Sequence, residues 1–301
     1  MVYQGYRIHS QEPLQDTYKR VIIEQLRLSD DLCMNYNNEP DTATHEIRKS
    51  IKRIRAVCRL YQHGIDTTDY QQIQERYRKI SSLLAEHRIA AVHCSTLGLI
   101  GQKGSFPDPG WFALLLSDLQ TRHSRLTAVF LEQKVPDAVQ VLLLEAVKAL
   151  ENQSVVVRNI KELGMGLRNS YKEGRHLLEI TRQGPTAENF HELRKCVKNL
   201  WNQLILFRSL WPPVMGLSIY HLDVLAERLG NEHDLAELGI YLDKVRNPND
   251  SNFENLFRLL EIKRLQVQKS LFPLASRLFA EKPGTFTSRI LAYYKIFSQQ
   301  S

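Results

Sequence analysis

Apolar residues recur at spacings of three and four along most of the chain, in segments rich in Leu, Gln, Glu, Lys and Arg. Alternation with a period of two is hard to find, so the pattern predicts helix almost throughout. Gly and Pro gather where such helices should stop: Gly64, Gly101–Gly110, Pro136, Gly164–Gly166, Gly184–Pro185, Pro212–Pro213, Gly230, Pro248 and Pro283–Gly284. The longest break, Gly98–Gly110, reads as a loop. These signals predict an all-α fold of roughly nine or ten helices.

The chain also matches itself. His45 opens HEIRKSIK and His191 opens HELRKCVK, 146 residues later. At the same offset, AEHRIAAV (residues 85–92) answers to NEHDLAEL (residues 231–238). Two blocks in one ungapped register predict two similar halves, about residues 1–150 and 151–301, related by a pseudo-twofold axis, each a small helical bundle.

On a helix with about 100° per residue, His45, Arg48, Lys49, Lys52 and Arg59 share one stripe, with Arg53 and Arg55 near its edges. Ile47, Ile51, Ile54, Cys58 and Tyr61 take the opposite side. In the second copy His191, Arg194, Lys195 and Lys198 form the polar stripe, and Leu193, Val197, Leu200, Leu204 and Phe207 the apolar one. Asp41, Thr42 or Thr44 is placed to cap the first helix, and Thr186 or Asn189 the second. The cations then begin within a turn of a helix N-terminus, where the macrodipole disfavours them and favours a bound anion. Pairs such as Arg48/Lys52 and Arg194/Lys198 repel at i,i+4. A single basic face is ordinarily a solvated one. Its recurrence in both halves, where the intervening residues have diverged, favours a polyanion that relieves the repulsion.

Charge and composition narrow the classes. Lys and Arg number 40 against 33 Asp and Glu, a formal net charge of +7, which suits an anionic partner. Apolar residues make up 43% and charged residues 24%, an ordinary globular balance. No apolar run approaches the roughly 20 residues that span a bilayer, and no signal peptide is visible, so no membrane association and a cytoplasmic location are expected. The four cysteines are scattered without CxxC or close Cys/His spacing, which predicts reduced thiols and no metal.

The paired blocks HEIRKSIKRIRA and FHELRKCVKNLW resemble the CHAD domain, a histidine-containing α-helical domain. Tyr171-Lys-Glu-Gly-Arg175 resembles that family's Tyr-x-x-Gly-Arg element, and Leu229-Gly-Asn-Glu-His-Asp234-Leu its Leu-Gly-x-x-x-Asp-Leu element. RLFAEKPGTF (residues 277–286) resembles its C-terminal helix pair. The resemblance spans roughly residues 10–298 and implies one CHAD domain over 1–301, with two pseudo-symmetric four-helix-bundle halves around a basic central groove or pore. It further implies non-catalytic binding of inorganic polyphosphate, with phosphate or sulfate ions as smaller ligands, no cofactor, and association with polyphosphate granules. By position, His45, Arg48, Lys49 and Lys52 would serve from one half and His191, Arg194, Lys195 and Lys198 from the other. Arg53, Arg55 and Arg59 would extend the first face, and Tyr171 and Arg175 would contribute from a neighbouring helix. The chain departs from the family where His87-Arg88 stands in place of Arg-Asp. It also carries Asn199 and Trp201 where the first copy has Arg53 and Arg55, so the groove should be more basic on the first side.

Polyphosphate carries about one negative charge per unit and no bases, so rows of Arg, Lys and hydrogen-bond donors suffice to hold it. Two alternatives stand beside this reading. A phosphoanhydride hydrolase, or an accessory subunit of one, would call for an ExExK strand, a GxxxxGK loop or paired carboxylates for metal, and none of these is evident. Glu86-His87 and Glu232-His233 have poor spacing for a metal. A nonspecific nucleic-acid binder is compatible with the charge, but aromatic stacking platforms are missing from the stripe, since Tyr61 and Phe207 fall on the apolar sides.

Overall fold

The structure, a computed structural model, describes residues 5–103, 107–247 and 250–299. Eleven α-helices and two short 3-10 turns account for almost all of the described residues. The helices are α1 (Leu14–Met34), α2 (Pro40–Leu60), α3 (Thr67–Leu83), α4 (Ala85–Lys103), α5 (Pro109–Glu132), α6 (Val135–Asn152), α7 (Ile160–Gln183), α8 (Ala187–Leu206), α9 (Pro212–Val245), α10 (Ser251–Leu278) and α11 (Pro283–Phe297). No strand occurs among the described residues, so the chain is all-α.

Proline does much of the punctuation. It stands in the first helical turn of α2, α5, α6, α9 and α11, where a missing N–H costs nothing and the fixed φ suits the helix. Several glycines predicted to break helices do not. Gly164 and Gly166 lie inside α7, and Gly230 inside the 34-residue α9. At Gly166 the reason is close approach: a Cβ there would meet the Leu60 carbonyl oxygen at 2.2 Å. The long loop expected over residues 98–110 is shorter, because α4 runs through Gly98 to Lys103 and α5 starts at Pro109. Residues 104–106 and the break at Pro248 lie outside the described residues.

Helix boundaries repeat at the offset of the sequence match. The 3-10 turns cover Gln62–Gly64 and Arg208–Leu210, α2 and α8 end at Leu60 and Leu206, and α5 and α10 at Glu132 and Leu278. The single α9 answers to α3 and α4 together, whose junction at Leu84 corresponds to Gly230. Neighbour relations repeat too. α1 packs on α2 and α6 as α7 packs on α8 and α11, and α4 packs on α5 as α9 packs on α10.

The two repeated helices pack on each other. Ile47, Ile51, Ile54, Leu193, Val197 and Leu200 are all at most 1% exposed, and each such side chain stabilises the fold by roughly 1.5–3 kcal/mol. They belong to a core to which α1, α2, α3, α6, α7, α8, α9, α10 and α11 all contribute. A second apolar cluster joins α4, α5, α9 and α10 through Leu97, Leu119, Leu238 and Leu256.

Candidate functional site

Burying the apolar stripes of α2 and α8 turns their polar stripes toward α4 and α9, and a cavity of about 620 Å³ lies between the four helices. Helix α2 supplies His45, Arg48, Lys49 and Lys52, and α8 supplies His191, Arg194, Lys198, Trp201 and Asn202. Arg88, Ile89, Val92 and His93 line it from α4, and Asp223, His233, Asp234 and Glu237 from α9. A smaller cavity of about 200 Å³ adjoins it, with Lys52, Arg194, Lys198 and Asn202 as the common wall. Arg55, Arg59, Lys195 and Asn199 line this second space.

Several cations are already held by protein groups. Lys49 Nζ lies 3.1 Å from Glu46 and Lys195 Nζ 2.7 Å from Glu192, the same contact in both copies. Arg48 Nη1 donates to the Ser81 carbonyl at 2.6 Å. Lys198 Nζ lies 3.7 Å from Asp223 and 4.4 Å from the centre of the Trp201 ring. Lys52 and Arg194 have no ion pair among the described residues, and Arg194 Nε, shielded from solvent, finds no hydrogen-bond acceptor there. Lys52 is reached by solvent yet enclosed by the cavity walls. That enclosure, with Arg194, Arg48, Lys198 and Arg88 around it, lowers its ammonium pKa to about 7. Burial raises the Asp234 pKa even though Arg194, Arg88 and Lys52 pull it down.

The enclosed cavity disfavours the charged form of its histidines. Burial lowers the pKa values of His45 and His191, with further depression from Arg88 beside His45 and Lys195 beside His191. His233 falls to about 4 through burial and then Arg194. His191 Nδ1 and His233 Nδ1 are 3.2 Å apart, so one ring donates and the other accepts. His93 is 3% exposed, and neither of its ring nitrogens finds a partner among the described residues.

Not every residue singled out from the sequence reaches these cavities. Arg53 is 1% exposed in the core, where its guanidinium lies 5.9 Å from the Tyr6 ring centre and donates to Gln25. It stands at the stripe's edge, and the packing of α1 on α2 decides its side. Tyr171 is buried as well. Its hydroxyl donates to the Leu278 carbonyl at 2.9 Å and its ring stacks on Phe286 at 4.0 Å. Arg175 donates to the Glu281 carbonyl. The Tyr-x-x-Gly-Arg element therefore clamps the α10–α11 junction, and Gly174 leaves room for the Phe279 ring. Arg59 pairs with Glu173 at the rim of the smaller cavity.

The capping expectation holds for α8, where Thr186 accepts from Asn189 N at 3.2 Å. It fails for α2, which Pro40 starts a turn earlier. Thr44 is buried against Tyr36 and His87 instead of capping. His45 is then the sixth residue of its helix and His191 the fifth, beyond the turn where a macrodipole acts strongly. Repulsion among the cations remains the operative argument.

Arg88, His93 and His233 were not among the residues picked from the sequence as lining the site. For Arg88 and His233 the match of the AEHRIAAV and NEHDLAEL blocks was the available signal, and His93 lies just beyond the first block. The first half contributes Arg48, Lys49, Lys52 and Arg88 and no acid to the larger cavity, and the second contributes Arg194 and Lys198 with Asp223, Asp234 and Glu237. The first side is the more basic because Arg88 faces the cavity where its counterpart is Asp234. Arg53 has no part in that difference.

No described helix is long and apolar enough to cross a membrane, and no curated protein matches the chain by sequence. The fold is similar to that of PptA from Streptomyces chartreusis, with a TM-score of 0.66 at 16% identity over 90% of this chain and 100% of that one. The family model described as CHAD domain matches residues 22–243. With that match over most of its length, the chain belongs to the CHAD domain family.

Proposed function

We propose that the chain binds inorganic polyphosphate without cleaving it, along the cavities between α2, α4, α8 and α9. The observation that carries this reading is the meeting of two repeated cationic stripes at one cavity, with six Lys and Arg side chains against three carboxylates. CHAD membership supports the choice of anion. Arg48, Arg88 and Arg194 present planar forks that match phosphate oxygens, and Lys49, Lys52 and Lys198 act as mobile point charges. His45 and His191 donate single hydrogen bonds. Arg55, Arg59 and Lys195 extend the path into the smaller cavity. The 146-residue recurrence of helix boundaries supports two halves of one domain meeting across this groove.

A linear polyanion fits this lining better than nucleic acid. The aromatic ring in the larger cavity, Trp201, is 6% exposed and covered by Lys198, so no base can stack on it.

Binding of labelled long-chain polyphosphate tests the reading, in competition with single-stranded and duplex DNA at equal phosphate concentration. Polyphosphate should win. By analogy with single-stranded nucleic acid, six contacts give log affinity a slope of at most about −4 against log salt. Displacement by DNA, or a nearly flat salt dependence, overturns the proposal.

A further inference from the structure

Three side chains distant in sequence meet beside the N-terminal end of α2. Asp41 comes from the first turn of α2, His87 from α4 and His123 from α5. One donor atom from each lies within 4.8 Å of the other two. Asp41 Oδ1 is 2.9 Å from His123 Nε2 and 3.5 Å from His87 Nε2. In a tetrahedral site with bonds near 2.1 Å, neighbouring donor atoms stand about 3.4 Å apart, close to the spacing of Asp41 from each imidazole.

The surroundings orient these atoms. His87 Nδ1 is 3.0 Å from Thr44 Oγ1, which also bonds the Tyr36 hydroxyl. With the Nδ1 proton directed at Thr44, His87 presents the Nε2 lone pair toward Asp41, the outer-shell arrangement that fixes metal-binding imidazoles. Thr127 donates its hydroxyl proton to the His123 carbonyl and turns its oxygen toward His87 Nε2 at 3.0 Å. Two imidazole nitrogens, a carboxylate oxygen and a hydroxyl oxygen therefore converge on one place. His87 is 2% exposed, while the Asp41 side chain is 52% exposed, which leaves an entry path on one side.

We propose that Asp41, His87 and His123 form a binding site for one divalent transition cation of the Zn²⁺ type. Two imidazoles and one carboxylate suit Zn²⁺ and its neighbours, and they suit Mg²⁺ and Ca²⁺ poorly. The site joins α2, α4 and α5, so a bound ion ties the first half's basic helix to two other helices. This proposal does not depend on polyphosphate binding. His87 precedes Arg88 in α4, but no member of the triad lines the larger cavity.

The test is a titration of the full chain with Co²⁺ and then Zn²⁺, after chelator treatment and in buffer free of phosphate and polyphosphate. One Co²⁺ per chain should bind with visible absorption, Zn²⁺ should displace it, and the melting temperature should rise. His123→Gln and Asp41→Asn alter side chains that solvent reaches, so both should fold, as circular dichroism will show. Each should weaken Co²⁺ binding at least tenfold. Absence of saturable binding by the parent chain overturns the proposal, as does parental affinity in either variant. Polyphosphate binding by the same two variants is measured separately and should stay within twofold of the parent.

Discussion

Lys52 offers the sharpest test of the anion site, because its environment makes binding a proton-linked event. In the free protein its pKa is about 7 against an ordinary value of 10.5. Its counterpart Lys198 has Asp223 at 3.7 Å, but the residue 146 positions before Asp223 is Tyr77, so Lys52 has no such partner. A polyphosphate segment in the cavity supplies the missing negative charge and should return the pKa toward the ordinary range. Linkage then fixes the sign: the bound state holds more protons, so affinity falls as pH rises through the free-state pKa. With a free value of about 7 and a bound value near 10.5, Lys52 alone lowers affinity about tenfold between pH 6 and pH 8. At pH 7.5 about three quarters of a proton is taken up per Lys52 engaged. Isothermal titration in two buffers of different ionisation heat measures that uptake directly. Lys52→Met should bind more weakly at pH 6, lose most of the uptake at pH 7.5 and show a flatter pH profile. Buffer-independent heats for the parent chain would refute the reasoning, as would an unchanged uptake in Lys52→Met.

Further expectations follow from the same geometry. Arg194→Ala removes a guanidinium whose Nε has no acceptor in the free protein. Affinity for polyphosphate should drop roughly ten- to a hundredfold, about 1.5–3 kcal/mol, with no loss of melting temperature, and titration with thermal melting checks both. Without ligand, the lowered Lys52 pKa makes the folded state lose stability as pH falls from about 10 to about 7, since the unfolded chain there binds the extra proton. Lys52→Met should therefore melt higher than the parent at pH 7, with the difference vanishing near pH 10, and a difference independent of pH would contradict this. Gly166→Ala should cost about 1–3 kcal/mol in chemical denaturation, because its Cβ would press on the Leu60 carbonyl where α7 crosses the end of α2.

Much of the lining of the candidate site is legible in the sequence, and the reason is periodicity. A helix fixes the angle between residues, so the stripe His45, Arg48, Lys49, Lys52 and the opposing stripe Ile47, Ile51, Ile54 follow from order alone. Burial confirms the apolar side in both copies, with Leu193 and Val197 at 0%. The offset of the internal match recurs in the structure, where α2 and α8 end 146 residues apart, as do the two 3-10 turns. Edge positions were not legible. Arg53 lies between the two stripes, and the arrival of α1 with Gln25 and of Tyr6 decided that it faces inward.

What the sequence by itself determined is therefore the all-helical class, the match between its two blocks and the polarity of each repeated helix, because these depend on spacing along one chain segment. Only the tertiary structure decided what faces what. It turned the two cationic stripes to one cavity, brought Arg88 and His93 to its wall, and drew Tyr171 and Arg175 away to clamp the α10–α11 junction. It also gathered Asp41, His87 and His123, which stand 46 and 36 residues apart along the chain and carry no spacing signal. Contacts of that kind arise from packing between helices, whose crossing is set by the summed shape of many apolar side chains and not by any local motif.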